Sequence, residues 1–346
     1  MAAMRNSLVR FAVVGIDHRH IYDLVEGLLA AGAQGVGYCD QGSDPRVAQG
    51  LASRFPELKA FSRAQDLLTH PGVDVIVCAA IPADRAEIAI MAMRHGKDVL
   101  VDKPGVTTAE QLAQVTQTVA QTGRIFSVCF TERFLVPAVQ HALELVQGGA
   151  IGEPLHTLGI GPHRLNAAIR PDWFFQEDRA GAILVDIASH QIDQFLVFTG
   201  SRTAEIAHSH VGQYHPKRTG AHFNDFGEII LQTERHRGYV RVDWFTPDGL
   251  PVWGDGRFFV TGTDGTLEIR KYLDIEGRPG GNHLFLADRQ GTRHIDCSAM
   301  PLTFFARFVA DVQARTQTAM SQAHAFEVCA LALQAQALAH PRSRLA

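Results

Sequence analysis

The first 130 residues alternate short apolar runs with segments in which apolar residues recur every three or four positions. The run "FAVVG" at residues 11–15 is followed by Ile21, Leu24, Val25 and Leu28, which share one face of a helix. The later runs "QGVGYCD", "VDVIVCAA", "DVLVDKP" and "RIFSVCF" are separated by segments of helical periodicity. Continuous apolar runs of this length suit parallel strands that are covered on both faces. The pattern therefore predicts a doubly wound parallel sheet.

Individual residues mark where these helices begin and end. Asp44 is a predicted N-cap, with Pro45 in the first turn of the helix that follows. Thr107 and Glu110 have the spacing of a capping box. Gly96 is placed to end the helix that contains Ala86, Ala89, Ile90 and Met93.

Several residues that could contact a ligand lie along one edge of the predicted sheet. Ligands bind doubly wound sheets at the carboxyl ends of the strands, near the point where strand order reverses. Gly15, Asp40, Ala80 and Lys103 each follow a predicted strand. We expect them to line that edge.

The second half of the chain has a different pattern. The stretch "FNDFGEIILQTERHRGYVRVDWF" predicts two long strands around the turn "RHRG", and "RFFVTGTDGTLEIR" predicts a hairpin that turns at Asp264 and Gly265. Two amphipathic helices are predicted near 301–315 and 322–339. This pattern indicates an α+β domain with a mostly antiparallel sheet. We place the domain boundary near residue 131, which gives domains at 1–130 and 131–346.

Composition narrows the classes of protein that fit this pattern. A chain of 346 residues fits two domains of common size. A net charge of −4 without a basic cluster argues against nucleic-acid binding, and no apolar run is long enough to span a bilayer. The start "MAAMRNSLVRFAVVGI" is better explained as a first strand than as a secretory signal. The five cysteines form no C-x-x-C pair, which favours buried reduced thiols in a cytoplasmic protein.

The turn after the first strand departs from the glycine-rich dinucleotide fingerprint. That fingerprint would place glycines at 15, 17 and 20, whereas only Gly15 is present and Asp17 and His20 fill the other positions. Helix N-terminal amides bind anions whatever the side chains are, and His18 and Arg19 could donate to phosphate. Two alternatives remain open. Asp17 could be the N-cap of an ordinary strand-to-helix turn, or Asp17, His18 and His20 could bind a metal.

Two further residues of the first half suit a nucleotide and its chemistry. Asp40 lies 25 positions after Gly15, close to the spacing of the acid that binds the cofactor ribose, and an acid there favours NAD over NADP. Lys103 follows a buried strand, where desolvation lowers a lysine pKa and suits proton chemistry. The alternatives are a turn residue at 40 and a lysine that reaches solvent at 103.

Two histidine-containing stretches of the second half also attract interest. On a single helix, Asp186 and His190 would be i, i+4 neighbours on an apolar background, which suggests an acid–base pair or a satisfied core histidine. In "AHSHVGQYHPKRTGAH", the side chains of His208 and His210 would point the same way on a strand. With His215 or His222 they could bind a metal, although a solvated strand and loop fit the stretch better.

Together these pieces resemble the Gfo/Idh/MocA family of oxidoreductases over nearly the whole chain. The sequence Asp102-Lys103-Pro104 stands where the family has Glu-Lys-Pro. The stretch "AGAILVDIASHQIDQF" matches the family pattern G-G-x-x-x-D-x-x-x-H-x-x-D, with alanine at the first glycine. The chain departs from the family at the glycine-poor turn. It also departs at "IPADRA", where only Pro82 remains of the family's Thr-Pro-Asn-x-x-His.

The resemblance implies an NAD(H)-dependent dehydrogenase of sugars, polyols or related carbinols, with NADP less favoured. It implies a Rossmann dinucleotide-binding domain at 1–130 and a domain for substrate binding and oligomerisation at 131–346. His190 would be the general acid–base, Lys103 would hydrogen-bond the same substrate oxygen, and Asp186 would position substrate or imidazole. The second-domain sheet would form a homodimer or homotetramer. Alternatives are a lyase or hydrolase that oxidises and re-reduces its substrate on tightly bound NAD, and a non-catalytic sensor.

The resemblance and the predicted crevice give two sets of binding residues. The expected cofactor-binding residues are Gly15, Asp17, His18, Arg19, Asp40, Ala80, Ile81, Pro82, Asp102 and Lys103. The expected substrate-binding residues are Arg133, His163, Arg164, Trp173 and Asp193. For the turn itself, we expect Asp17 to cap a helix that starts near His20, and His18 and Arg19 to face the pyrophosphate.

Overall fold

The computed structural model describes residues 8–219 and 223–339. The chain divides into two compact units. The first contains the residues through Cys129, together with Asp178–Gly181 and Thr303–Phe326. The second contains Phe130–Glu177, Ala182–Leu302 and the residues from Glu327 onward. Within the described ranges, no helix has the length and apolar character needed to cross a membrane.

Strands and helices alternate up to Cys129, as the hydrophobic pattern predicts. The elements in order are β1 (Arg10–Ile16), α1 (His20–Ala30), β2 (Gln34–Cys39), α2 (Pro45–Arg54), β3 (Lys59–Phe61), α3 (Ala64–Leu68), β4 (Val75–Ala79), α4 (Pro82–Arg94), β5 (Asp98–Asp102), α5 (Ala109–Thr122) and β6 (Phe126–Cys129). The six strands form a parallel sheet in the order β3-β2-β1-β4-β5-β6. This confirms the doubly wound parallel sheet, with its switch in strand order between β1 and β4.

The local signals explain most of these elements. Every residue of β4 and β5 is buried, as expected for strands covered on both faces. The Asp44 side chain accepts the Arg46 and Val47 amides, which confirms the predicted cap of α2. The capping box of α5 is wrong by one residue. Thr108, not Thr107, caps this helix, and it accepts the Gln111 amide.

The remaining elements are mostly antiparallel strands and short helices. In order they are α6 (Thr131–Phe134), α7 (Pro137–Gln147), β7 (Pro154–Pro162), α8 (Glu177–Ala180), α9 (Ile183–Asp186), α10 (Ala188–Thr199), β8 (Glu205–Gly212), α11 (Pro216–Thr219), β9 (Phe226–Gln232), β10 (Arg237–Asp243), β11 (Arg257–Gly262), β12 (Gly265–Arg270), β13 (His283–Asp288), β14 (Gly291–Asp296), α12 (Phe304–Ala314) and α13 (Gln322–Ala339). Eight strands form one sheet in the order β14-β13-β12-β11-β7-β10-β9-β8. Only β7 and β10 pair in parallel, which confirms the predicted mostly antiparallel sheet.

Helix α10 packs closely on this sheet because β7 carries glycines under it. A Cβ at Gly159 or Gly161 would lie 2.7 or 2.8 Å from the Gln191 side chain. Farther along α10, the Phe198 ring stacks on Phe258 of β11 with centroids 5.2 Å apart. The glycines therefore set the approach of the helix that carries His190.

The segment 303–326 packs with the first unit, although the prediction assigned it to the second domain. The Phe305 ring occupies the space beside Gly27, where a Cβ would lie 2.2 Å from the ring. Arg315 forms a salt bridge of 2.5 Å with Asp98. The Phe305 ring and the buried Asp98 carboxylate thus attach this late segment to elements that precede it by more than two hundred residues.

Candidate functional site

The turn after β1 requires glycine at its first position. Gly15 has φ +83°, and a Cβ there would lie 2.6 Å from the Cβ of Ala80, at the end of β4. The Asp17 and His18 amides both donate to the Ala79 carbonyl, at 3.0 and 2.9 Å. The ends of β1 and β4 are thereby held in close contact at the switch in strand order.

We predict that Gly15→Ala lowers the free energy of unfolding by at least about 2 kcal/mol, since it combines a left-handed backbone with a steric clash. Urea unfolding measures this loss. Gly42→Ala is the matched control, because Gly42 also has a positive φ (+78°) but nothing lies near its missing Cβ. Equal losses in the two variants would show that contact with Ala80 contributes nothing.

The prediction that Asp17 caps α1 is wrong. Helix α1 begins at His20, as predicted, but no side chain caps it. The Asp17 carboxylate instead accepts the Asp44 amide at 2.9 Å and the Ile81 amide at 3.2 Å. Burial raises the pKa of Asp17, and these two amides oppose that shift. Two backbone amides on neighbouring loops thus stabilise the carboxylate of Asp17, which stands at the position of the fingerprint's second glycine.

Asp102, at the end of β5, is the centre of a buried ionic cluster. Its carboxylate lies 3.0 Å from His18 Nδ1, 2.9 Å from His20 Nδ1 and 3.1 Å from Arg85 Nη2. Burial opposes ionisation of Asp102, but His20, Arg85 and the His18 hydrogen bond hold its pKa well below the usual range. Asp102 is therefore a carboxylate at any ordinary pH, and His18 directs its Nδ1 at this carboxylate.

Arg85 organises the backbone around Lys103. This arginine is 1% exposed, and it donates to the carbonyls of Ala80 (2.8 Å), Asp102 (2.9 Å), Pro104 (3.1 Å) and Lys103. Lys103 itself is buried, and its peptide bond to Pro104 is cis. Sequence reasoning missed Arg85, although a signal existed. Arg85 lies one turn before Ala89, on the helix face that the apolar spacing turns toward the sheet.

The other predicted cofactor-binding residues occupy the same edge of the first unit. Asp40 is exposed just beyond β2, and its carbonyl accepts the Ser43 amide at 3.0 Å. Arg19 is exposed at the start of α1. Ile81 and Pro82 begin α4, where Pro82 occupies the first turn.

Titration of His18 should make stability depend on pH. Burial and the neighbouring His20 lower the pKa of His18 to about 4. The unfolded chain takes up this proton near pH 6.5 and the folded protein only near pH 4, so stability is highest above pH 6.5 and falls as the pH drops through that window. We predict that the wild type loses about 2 kcal/mol between pH 7.5 and 5 through this group. Urea unfolding of His18→Gln should lack that share, and an unchanged pH profile would refute the prediction.

The residues that lie close enough to share a metal ion differ from the three named in the sequence analysis. His18, His20 and Asp102, rather than Asp17, bring ligand atoms within 4.8 Å of one another. The Arg85 guanidinium already places a positive charge on the same carboxylate, so the cluster is satisfied as a hydrogen-bonded network.

The histidines of the second stretch are separated in the structure. His208 lies 3.4 Å from Glu228, and His210 lies 3.0 Å from the Tyr214 hydroxyl. The side chains of β8 do not alternate regularly at this point, because the pairing register with β9 shifts between Ile206 and His208. His222 lies outside the described residues.

The second unit holds the family's aspartate and histidine pattern on two helical segments. Asp186 ends α9 and His190 lies in the first turn of α10, with the break at Ile187, so the expectation of one continuous helix is wrong. His190 is 1% exposed, and its ring meets Phe130 edge-on with centroids 6.4 Å apart. Asp193, on the next turn, forms a buried ion pair of 2.8 Å with Arg133.

A second buried ion pair supports the same helix, and sequence reasoning missed it. Lys271 Nζ lies 2.5 Å from Glu132, whose carboxylate also accepts the Gln191 amide at 2.9 Å. Burial, reinforced by the Glu132 charge, raises the pKa of Tyr272 well above its usual value. Gln191 follows His190 directly, so this network fixes the start of α10.

The other predicted substrate-binding residues have structural partners within the second unit. The His163 ring packs edge-on against Trp253, with centroids 3.9 Å apart, and its Nδ1 donates to the Gly161 carbonyl at 3.1 Å. Arg164 donates to the carbonyls of Pro247 and Val252 and so holds the 247–252 loop. Trp173 is half-buried.

The first unit has a parallel sheet of this strand order with a tight βα turn at its switch point, and a large open sheet follows along the chain. This combination is typical of two-domain nucleotide-dependent oxidoreductases. Two family profiles match the chain. One, described as an oxidoreductase family with an NAD-binding Rossmann fold, matches residues 9–130, and the GFO/IDH/MocA C-terminal domain matches residues 139–268. The chain belongs to the Gfo/Idh/MocA oxidoreductase family.

Similar proteins agree with this assignment. The scyllo-inositol 2-dehydrogenase (NAD(+)) of Bacillus subtilis is 25% identical over 308 residues, which is 87% of this chain and 86% of that protein. A solved structure of a protein named as an oxidoreductase from Erwinia carotovora atroseptica is 42% identical, with a TM-score of 0.91, and covers 97% of this chain and 100% of its own. A levoglucosan dehydrogenase in complex with NADH and levoglucosan shares the fold, with a TM-score of 0.78, 20% identity and coverage of 96% of each chain.

Proposed function

We propose that this protein is an NAD(H)-dependent dehydrogenase that interconverts a sugar or polyol carbinol and its ketone. The observation that carries the proposal is Lys103, held in a buried loop at the carboxyl end of β5 by Arg85. A buried cation at this edge of a dinucleotide-binding sheet suits an oxygen that gains negative charge during reaction. Family membership and relatives named for inositol and levoglucosan support the substrate class.

In the proposed reaction, the proton and the hydride of the carbinol go to different acceptors. His190 takes the proton from the reacting hydroxyl as the hydride leaves the carbinol carbon. Lys103 donates a hydrogen bond to the same oxygen and stabilises its developing charge. Asp186 orients the imidazole or the substrate. A bound nicotinamide cofactor would supply the hydride acceptor. Among the other substrate-facing candidates, Arg133 and Asp193 already neutralise each other, so they suit uncharged hydroxyls.

The first unit fits a dinucleotide despite its glycine-poor turn. No side chain caps α1, so the positive end of its dipole remains open to an anion. The Asp17 charge is held by two backbone amides, which removes the main objection to a phosphate nearby. Gly15, Ala80, Ile81, Pro82, Asp102 and Lys103 line the same edge as Asp40.

The cofactor is NAD rather than NADP in this proposal, because the exposed Asp40 carboxylate would repel a 2′-phosphate. We predict that Asp40→Ser shifts the ratio of kcat/KM for NAD+ over NADP+ by roughly tenfold or more toward NADP+. Steady-state kinetics with both cofactors measures the ratio. Glu57→Gln, which removes an exposed acid elsewhere in the same unit, is the control. An unchanged ratio in Asp40→Ser would remove Asp40 from cofactor selection.

A panel of inositols, sugars, sugar acids and anhydrosugars, read as NADH absorbance, tests the reaction. Oxidation of a panel member that is lost in Lys103→Ala supports the proposal. Product formation without net NADH would indicate a redox-cycling lyase or hydrolase. Absence of NAD+ and NADP+ binding by calorimetry up to millimolar concentration would indicate a sensor on this fold.

We also propose a cytoplasmic homodimer or homotetramer that assembles through the eight-stranded sheet. The burial of all five cysteines, as expected for reduced thiols, supports a reducing compartment. On β11 to β14, Phe259, Phe285 and His294 line an open groove of about 540 Å³, which is the kind of surface a second copy would cover. Light scattering of the purified protein tests the assembly.

A further inference from the structure

The Asp102 cluster fixes the chemistry of the His18 ring. Both imidazoles of the turn direct Nδ1 at the same carboxylate, at 3.0 and 2.9 Å, and their rings meet edge-on with centroids 4.2 Å apart. A carboxylate oxygen only accepts hydrogen bonds. Each Nδ1 therefore carries the proton that lies between it and Asp102. The His20 backbone amide also approaches His18 Nδ1, but at 3.5 Å this contact is far weaker than the 3.0 Å contact with the carboxylate.

This tautomer leaves the other ring nitrogen as an acceptor. A neutral imidazole protonated at Nδ1 has a lone pair at Nε2. About a quarter of the His18 side chain is solvent-exposed, whereas Asp102 is fully buried, so the accessible part of the ring is not the edge that carries Nδ1. A ligand at this edge of the sheet therefore meets an acceptor at His18.

The surroundings keep His18 neutral. Arg85 on α4 pairs with the Asp102 carboxylate, and His20 on α1 and Lys103 after β5 are the basic groups that act on His18. Asp102 is the carboxylate in direct contact with His18, and it is already shared with Arg85 and His20. Burial, the neighbouring His20 and the Lys103 charge lower the pKa of His18 to about 4 against the pull of Asp102. A second proton at Nε2 is therefore disfavoured at neutral pH.

We propose that His18 is a hydroxyl-binding residue, which accepts a hydrogen bond at Nε2 from a ligand hydroxyl and makes none to phosphate. The phosphates of a dinucleotide's pyrophosphate bridge carry no proton at neutral pH, so their oxygens only accept and cannot bond a bare lone pair, whereas the hydroxyls of a ribose or of a polyol donate. The proposal differs from the expectation from the sequence, in which His18 replaces the fingerprint glycines as a phosphate ligand. The inference rests on the proposed function only in placing a nucleotide or polyol at this edge.

The tautomer is testable without any ligand or activity. Long-range ¹H–¹⁵N correlation spectra of histidine-labelled protein distinguish a protonated Nδ1 from a protonated Nε2, and comparison with His18→Phe identifies the His18 signals. We expect the Nδ1–H form from about pH 8 down to pH 5. Protonation at Nε2 anywhere in that range would overturn the inference, whatever the enzyme's reaction is.

Ligand titrations then separate hydroxyl from phosphate recognition. In His18→Phe, the Kd of NAD+ should rise roughly two- to tenfold while the Kd of inorganic pyrophosphate stays unchanged. Equal weakening of both would make His18 a phosphate ligand and refute the proposal. In the wild type, a shift of the His18 Nε2 resonance with NAD+ alone identifies ribose as the source, and a shift with scyllo-inositol alone identifies the substrate. A shift with pyrophosphate but with neither of these would contradict the proposal.

Discussion

Replacement of His190 by alanine is expected to lower kcat by about 10²- to 10⁴-fold, the range that general acid–base catalysis contributes. The imidazole is 1% exposed, lies in the first turn of α10 and has no second histidine within that helix to replace it. NAD+ affinity should stay within about twofold of wild type, because the proposed role of His190 is to bind the substrate hydroxyl and it is not among the proposed cofactor-binding residues. Stopped-flow single turnovers and calorimetry measure the two quantities.

A buried histidine can also matter for packing alone, so the experiment needs controls. His156→Ala removes an exposed histidine from the same unit and should leave kcat unchanged. The thermal melting of His190→Ala shows whether the variant is folded. A folded variant with kcat near wild type on the true substrate would exclude His190 as the acid–base. A loss of kcat that exogenous imidazole partly restores would assign the role to the ring itself.

Arg85→Met is expected to lower the free energy of unfolding by about 3–5 kcal/mol, the cost of leaving one partner of a buried ion pair uncompensated. Methionine retains the apolar stem but removes the donors to four carbonyls and to the Asp102 carboxylate. Because those carbonyls include that of Lys103, kcat should fall as well. Urea unfolding and steady-state kinetics measure the two effects.

A second arginine–aspartate pair, between Arg179 of α8 and Asp84 of α4, provides the matched control. Arg179 binds Asp84 with two hydrogen bonds of 2.8 Å, but both side chains are more than one-third exposed. Arg179→Met should therefore cost no more than about 1 kcal/mol. Similar losses for the two arginines would show that burial of the Asp102 cluster adds nothing. In a double-mutant cycle, Asp102→Asn should recover part of the Arg85→Met loss, because the unpaired charge is gone.

Hydrophobic periodicity predicted the elements whose stability depends on local pattern. The apolar face of α1 is fully buried where the spacing places it, and the Asp44 cap forms as expected. The strands β3 and β14 were not predicted, because β3 has only three residues and β14 is mostly exposed, so neither has a strong periodic signal.

Long-range polar contacts explain the errors at the candidate site. Asp17 was expected to bond its own helix, but its partners Asp44 and Ile81 lie 27 and 64 positions away. The sequence of the turn alone cannot predict hydrogen-bond donors that lie so far away along the chain. The same holds for His18, whose partner Asp102 lies on a strand that is not adjacent to β1. Residue types at strand ends predicted which side chains share an edge, but not how they pair.

The most direct measurement of the central claim is NADH formation by the purified wild-type protein across the panel of inositols, sugars, sugar acids and anhydrosugars. We predict that at least one polyhydroxylated carbinol reduces NAD+ stoichiometrically, and that Lys103→Ala, which still binds NAD+, does not catalyse this oxidation. A protein that binds neither NAD+ nor NADP+ up to millimolar concentration and forms no reduced cofactor with any member would contradict the account.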